Sequence, residues 1–486
     1  MRRIAFAVPV LLLVVGCDGA PARPEPKNVD ELTKGALTDS AAQQTAFVNG
    51  GAGDVQRGWL RTFEDAQLTE LVAEAMANSR EIAQVAARLE QAQAKARQAG
   101  ADLGPTIGYA VGAAGSGAAN SKDLNQGVGA GLSLSWEADI WGRISSQNAA
   151  VSAQAQASAL DLAWARESMA ANVAKALFLA RLCARQEAIN RTVAELQQRL
   201  VAIQEKRQTI GQATAMQVQS AKAELADANN RQKQSTAARE EAVRSLEVLL
   251  GRYPKADLPT GDVLPKPPEP PPAGLPSQLL ERRPDLIAAT RRVASAFNQV
   301  ESAKAAQLPR LSFTVSGGAA NGDFQNMNVN GLFWQAVGNF VGPLYDGGRL
   351  KEQVVIETAR QDEALALFGA ASLKAFREVE EALAEDARLA ERVALTTTAE
   401  NEQAEAERLA TLRFEAGVID QLALILVQSR TLEARLAALA MRVERLTNRV
   451  DLHLALGGGF AAPPPAPEDE LPASKVVPKA DATAPR

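Results

Sequence analysis
Histidine appears once and cysteine twice among the 486 residues, and that scarcity excludes most enzyme chemistry before any motif is sought. His453 alone cannot supply a Ser-His-Asp set, and with Cys17 and Cys183 it makes no metal cluster. No catalytic residue, metal or nucleotide cofactor is expected. His453 follows Val450 by three on an apolar stripe and reads as a packed side chain, and Cys183 as a small buried residue in a helical pattern. The glycine-rich stretches Gly112 to Gly117 and Gly457 to Gly459 lack the surroundings of a phosphate loop. Charge of one sign is not in excess: 52 Lys and Arg stand against 57 Asp and Glu, interspersed, for a net charge of −5. Nucleic acid is therefore not an expected partner. After the N-terminal leader no apolar run is long enough for a transmembrane helix, so any entry into a membrane must use strands.

The leader itself is short. Met1-Arg2-Arg3 is a basic start and Ile4 to Gly16 an apolar run of roughly 13 residues, too short to span a bilayer and suited to a signal peptide over 1–16. It ends Leu13-Val14-Val15-Gly16-Cys17, which resembles a lipobox, so Cys17 is the expected site of lipidation and no intrachain disulfide framework remains. Asp18 follows directly. In some bacteria that residue retains lipoproteins at the inner membrane, and the strands described below argue against that location.

What is abundant is long helix, written twice. Trp141-Gly142-Arg143 recurs as Gly347-Gly348-Arg349, Arg207-Gln208-Thr209-Ile210-Gly211 as Arg413-Phe414-Glu415-Ala416-Gly417, and Val248-Leu249-Leu250-Gly251 as Leu454-Ala455-Leu456-Gly457, each at an offset of 206. Leu103-Gly104-Pro105 recurs as Leu308-Pro309 at an offset of 204. From Ser145 to about Ile210 there is neither proline nor glycine, which predicts a helix of about 100 Å. Ile189, Val193, Leu196, Leu200 and Ile203 form a coiled-coil seam, and Ile425, Ser429, Leu432, Leu436, Leu439, Val443, Leu446 and Val450 a second one. Alanines such as Ala170, Ala171, Ala174 and Ala176 leave room for another neighbour, which suits a ring of helices.

Four strands interrupt the helices. Ile107, Tyr109 and Val111 oppose Thr106, Gly108 and Ala110; Val128, Ala130, Leu132, Leu134 and Trp136 oppose Gly129, Gly131, Ser133 and Ser135; and Leu311, Phe313 and Val315 oppose Ser312, Thr314 and Ser316. A fourth, near Leu332 to Val341, alternates poorly and is placed by symmetry. Apolar outside and small inside is the pattern of transmembrane β-strands, with Tyr109, Trp136 and Trp334 suited to the headgroup level. Four strands cannot close a barrel and open edges are not tolerated in lipid, so the chain must oligomerise; three copies give about twelve strands. The domain plan is a tether over 17–54, a first repeat over 55–253, a Pro-rich linker over 254–276, a second repeat over 277–457 and a Pro/Ala-rich tail over 458–486.

Three segments carry a family resemblance. They are Leu280-Glu281-Arg282-Arg283-Pro284-Asp285-Leu286, Trp136-Glu137-Ala138-Asp139-Ile140-Trp141-Gly142-Arg143, and Gly342-Pro343-Leu344-Tyr345-Asp346-Gly347-Gly348-Arg349-Leu350. Together they resemble the TolC/OprM-like outer-membrane factors, specifically the NodT-type efflux lipoproteins. The resemblance implies a mainly α fold with a transmembrane β part: a trimer with a 12-stranded barrel, continued by a long periplasmic α-barrel. It implies an outer-membrane, lipid-anchored exit duct working with a periplasmic adaptor and an inner-membrane transporter of the RND type. Arg207, Gly211, Arg413 and Gly417 fall at the turns between paired long helices, where the family contacts its adaptor; the glycines suit equally the simple ending of a helix. Asp420 is the acid just past the second turn and a candidate for the constriction, whereas Ile419 and Leu426 are apolar where relatives carry acids. An acidic ring and a hydrophobic closure both stay open. Two other functions are weighed: a duct for type I protein secretion, and a lipid-anchored structural coiled coil, which would explain neither the strands nor the duplication.

Overall fold
The computed structural model describes residues 58–116, 125–274, 276–324 and 327–459, with Thr33 and Phe47. The signal peptide, Cys17, Asp18, most of the tether and the tail from residue 460 lie outside the described residues. A 3-10 turn at Trp59–Phe63 leads into α1 (Ala66–Asn78) and α2 (Arg80–Ala101). Then come β1 (Thr106–Ser116), β2 (Asn125–Ala138), α3 (Arg143–Thr209) and α4 (Ala215–Leu249). After an irregular stretch follow α5 (Pro276–Arg282), α6 (Pro284–Ala305), β3 (Arg310–Phe324), β4 (Met327–Val341), α7 (Arg349–Glu415) and α8 (Gln421–Ala455).

Three pairs of helices repeat to the residue, while α1 has 13 residues and α5 only 7. α2 and α6 are 22 residues each, α3 and α7 67 each, and α4 and α8 35 each. The offset changes from 204 to 206 between the first pair and the others, so the two additional residues fall in the strand segment. At about 1.5 Å per residue α3 and α7 each run about 100 Å. In α3 the buried residues are spread around the helix, whereas in α7 Phe368, Ser372, Ala375, Val379, Ala382, Asp386 and Leu389 follow one stripe. In α3 the alanines at 170, 171 and 174 are buried on several sides, where the neighbouring helices approach closely.

The strands form one antiparallel sheet in the order β1-β2-β3-β4. Register aligns Tyr109, Leu132, Gly317 and Trp334 in one cross-sheet row, and Gly108, Ser133, Ser316 and Gln335 in the adjacent row on the other face. One face is thus apolar and bare: Ile107 is 70%, Leu332 90% and Trp334 81% exposed. β4 is longer than its alternation indicates, because Phe333 and Val337 stand on the small-residue face. The Phe333 ring lies over the glycines of β2 and β3, its Cζ 3.5 Å from where a Cβ of Gly131 would be. Tyr109 and Trp334 lie in the same row, whereas Trp136 sits four residues nearer the helices, about 13 Å along the strand. Trp136 stacks on Phe313 and donates to Leu103 O at 3.0 Å, fixing the sheet to the end of α2.

The largest core lies midway along the long helices. There Trp59, Phe63, Leu68 and Leu71 pack on Val173, Leu177 and Phe178 of α3, Val243 and Leu246 of α4, and Val443, Leu446 and Val450 of α8. Arg283, 3% exposed, holds the second repeat here: it donates to Asp285, to Glu378 at 2.7 Å and to Ala455 O at 3.2 Å, and its guanidinium lies 4.8 Å from the Trp164 ring. The motif around Pro284 is therefore a structural joint. Pro276, expected to end the linker, already begins α5. Gly458 and Gly459, expected in the tail, pack instead against Glu167, which accepts from Gly459 N at 3.4 Å and from Trp59 Nε1 at 3.2 Å. The start and finish of the described body thus meet at one carboxylate.

Candidate functional site: the helical tips
Each long helix must reverse direction to pair with the helix that follows it, and both reversals use the same local chemistry. At the end of α3, Gly211 takes a φ of 74° and Gln212 N donates back to Arg207 O at 2.8 Å; at the end of α7, Gly417 takes a φ of 70° and Val418 N donates to Arg413 O at 2.8 Å. This is the left-handed glycine ending that satisfies the last helical carbonyls. The Arg-x-x-x-Gly spacing follows from it: the arginine carbonyl is the acceptor, and its side chain remains free for other work.

The return helices begin with matching caps. Thr214 caps α4 in a reciprocal box with Gln217, and Asp420, its equivalent in the second repeat, caps α8 by accepting from Ala423 N at 3.0 Å. Only the second cap is charged. The second oxygen of Asp420 accepts from Arg207 at 2.8 Å, which ties the first tip to the second across 213 residues of sequence. The Ala423 N–H and the Arg207 guanidinium together hold the Asp420 carboxyl below its ordinary range, so it is anionic at neutral pH. Two residues assigned on sequence to separate roles, adaptor contact and constriction, are thus one ion pair. Arg413 stands exposed and makes no ion pair among the described residues.

Around this pair the tips are apolar. Ile419 is half-buried, while Leu426 is 53% and Val418 69% exposed; Leu412, Ile210 and Met216 are exposed as well. Sequence reading passed over the last four. The available signal was an apolar residue within a few positions of a helix-ending glycine, where no core can cover it. The hairpins are held together above the tips by Leu196, Leu200 and Val201 of α3 against Ile425 and Leu432 of α8.

No helix among the described residues is long and apolar enough to cross a membrane, and no group of metal-ligating side chains occurs among them. The family model for outer membrane efflux proteins matches residues 71–252 and 275–458. The outer membrane protein OprJ of Pseudomonas aeruginosa is 30% identical over 95% of this chain and 97% of its own. The pyoverdine export outer membrane protein OpmQ of the same species is 30% identical over 92% of this chain and 95% of its own. A crystal structure of a membrane protein from Pseudomonas aeruginosa superposes with a TM-score of 0.75 at 28% identity, covering 84% of this chain and 97% of that one. With both repeats matched and the four-stranded sheet and paired long helices in place, the chain belongs to the outer membrane efflux protein family, as a channel subunit and not an enzyme.

Proposed function
We propose that three copies close a barrel of about twelve strands and that the assembly is the passive exit duct of a tripartite pump for drugs and other small molecules. The observation that carries this is the sheet. Among the described residues its two outer strands have unpaired edges and its apolar face is left largely uncovered. Lipid tolerates neither an open edge nor an unsatisfied backbone, so like edges from further copies must complete it. The helical tips lie at the opposite end, about 100 Å away. Arg207, Gly211, Arg413 and Gly417 at these tips face a periplasmic adaptor, which links the duct to an RND-type inner-membrane transporter. Asp420, with Ile419 and Leu426 beside it, lies at the constriction, where the Arg207–Asp420 pair favours the closed arrangement. Cys17 carries lipid in the outer membrane and is the one covalent addition.

OpmQ is named for pyoverdine export, which supports a small-molecule cargo over secreted proteins. The test is accumulation of a panel of dyes and antibiotics in cells with and without the gene, alongside a profile of their secreted proteins. Raised accumulation with an unchanged secretome is expected. Unchanged accumulation with lost secreted proteins would keep the fold and overturn the cargo.

A further inference from the structure
The face of the sheet opposite the apolar one is nearly free of charge. Apart from Glu137 and Arg310, its described positions are glycine, alanine, serine and threonine on β1, β2 and β3, and Gly331, Phe333, Gln335, Val337, Asn339 and Val341 on β4. Two ionisable side chains stand on it, Glu137 and Arg310, both at the end where the strands meet the helices. Glu137 is neutralised by Arg143, which donates through Nε at 3.2 Å and through its terminal nitrogen at 2.8 Å. Arg310 is exposed and has no carboxylate within ion-pair distance among the described residues. The duplication explains the imbalance. At the 206 offset Pro343 stands where the first repeat has Glu137, and at the 204 offset Arg310 stands where it has Thr106. The second repeat has thus gained a cation and lost an acid. The nearby Asp139 and Asp346 are committed to the backbone N–H groups that begin α3 and α7. Asp102 lies in the cleft shared with Glu137 and Arg143.

We propose that Arg310 is a specificity-determining residue of the duct, placing one positive charge per chain on the inner wall at the junction of barrel and helices. The proposal rests on the trimeric duct, in which the face opposite lipid lines the lumen and three copies of Arg310 form a ring. Rings of one charge sign bias permeation, and the rest of this wall, hydroxyl and glycine, has little with which to oppose it. Anionic solutes are concentrated at the ring and cations are slowed. The bias depends on salt. The Debye length is about 8 Å at physiological ionic strength and about 30 Å at 0.01 M, so selection strengthens as salt falls.

The experiment is the reversal potential of the full-length protein in planar bilayers under an approximately tenfold KCl gradient at low ionic strength. It is run in the wild type and in an Arg207→Gln background that releases the tips. Arg310→Gln should raise the cation-to-anion permeability ratio about threefold, by Coulomb interaction of three charges at about 10 Å screened at low salt. Arg310→Glu should raise it further, Arg310→Lys should keep the original value, and all differences should shrink in roughly 1 M salt. An unmoved reversal potential in assembled Arg310→Gln and Arg310→Glu channels overturns the proposal. Absence of conductance in both backgrounds would instead sink the duct itself.

Discussion

His453 is the sole histidine of the chain, which makes its titration unusually easy to isolate. It is 4% exposed, stacks on Trp59 with ring centroids 5.7 Å apart, and meets the edge of Phe63. Burial, and then the Arg449 guanidinium one turn before it, press its pKa from 6.5 down to about 4. Arg449 is itself fully buried and lies 2.7 Å from Asp386, whose charge it balances. Glu167, beyond Trp59, is occupied by the Trp59 and Gly459 N–H groups. Nothing acidic is therefore placed to receive a second positive charge. Because the folded pKa lies below the ordinary one, the unfolded chain takes up the proton first. The stability supported by neutral His453 is complete above about pH 6.5 and is lost as pH falls through 4. At about 1.4 kcal/mol per pH unit, the whole loss is about 3 kcal/mol per chain, of which about 2 kcal/mol falls between pH 6.5 and 5, before most carboxylates titrate. The assay is thermal unfolding at matched scan rates across that window, with wild type against His453→Leu. The wild type should lose stability on acidification and the variant should show a nearly flat profile. Equal slopes in the two proteins would refute the placement of His453 as a buried neutral ring.

Three further perturbations follow from the same structure. Asp420→Asn keeps a competent helix cap and Arg207→Gln does not touch it, yet both remove the tip ion pair. For so exposed a pair about 0.2–1 kcal/mol per chain is expected, enough to raise open-channel occupancy severalfold over three copies, read as open time in single-channel records. Unchanged open times in both would detach the pair from closure. Arg181, 6% exposed, pairs with Asp65 and donates to Gln67 at 2.9 Å and Thr260 O at 3.0 Å. Arg181→Met should cost about 3–5 kcal/mol in denaturant unfolding by stranding a buried carboxylate, with most of it restored by adding Asp65→Asn. A Cβ at Gly318 would lie 2.2 Å from Ala130 O, so Gly318→Ala should force β2 and β3 apart and abolish assembly in the membrane fraction. Gly108→Ala, with 3.5 Å to the nearest atom, should assemble normally.

The sequence made legible whatever repeats locally. The 206 offset read from short motifs is the offset of α3 to α7 and of α4 to α8, because helix ends are fixed by the glycines and caps that the motifs contain. Three strands were visible because one face is continuously apolar. The fourth was obscured because Phe333 covers glycines of other strands, so its alternation reflects a neighbour as well as the solvent. The tip residues were named from the turn pattern together with the family resemblance. Their pairing was not, because Arg207 and Asp420 belong to different repeats and no local period relates them. The same distance hid Arg181, Arg283 and the stacking of His453 on Trp59. A charged residue in the sequence reads as surface until its distant partners are known, such as Glu378 for Arg283 or Asp65 for Arg181.

The meeting of both ends of the body at Glu167 has a consequence for how such a chain can be cut. With Trp59 and Gly459 bonded to the same carboxylate, joining them requires little additional backbone, while the stretch between α4 and α5 already runs outside any helix or strand. Opening the chain there would exchange the order of the two repeats and leave every strand pairing and helical hairpin intact. The architecture is thus compatible with circular permutation, in keeping with domains whose termini lie close together. The contacts that hold the body together therefore do not dictate which repeat comes first along the chain.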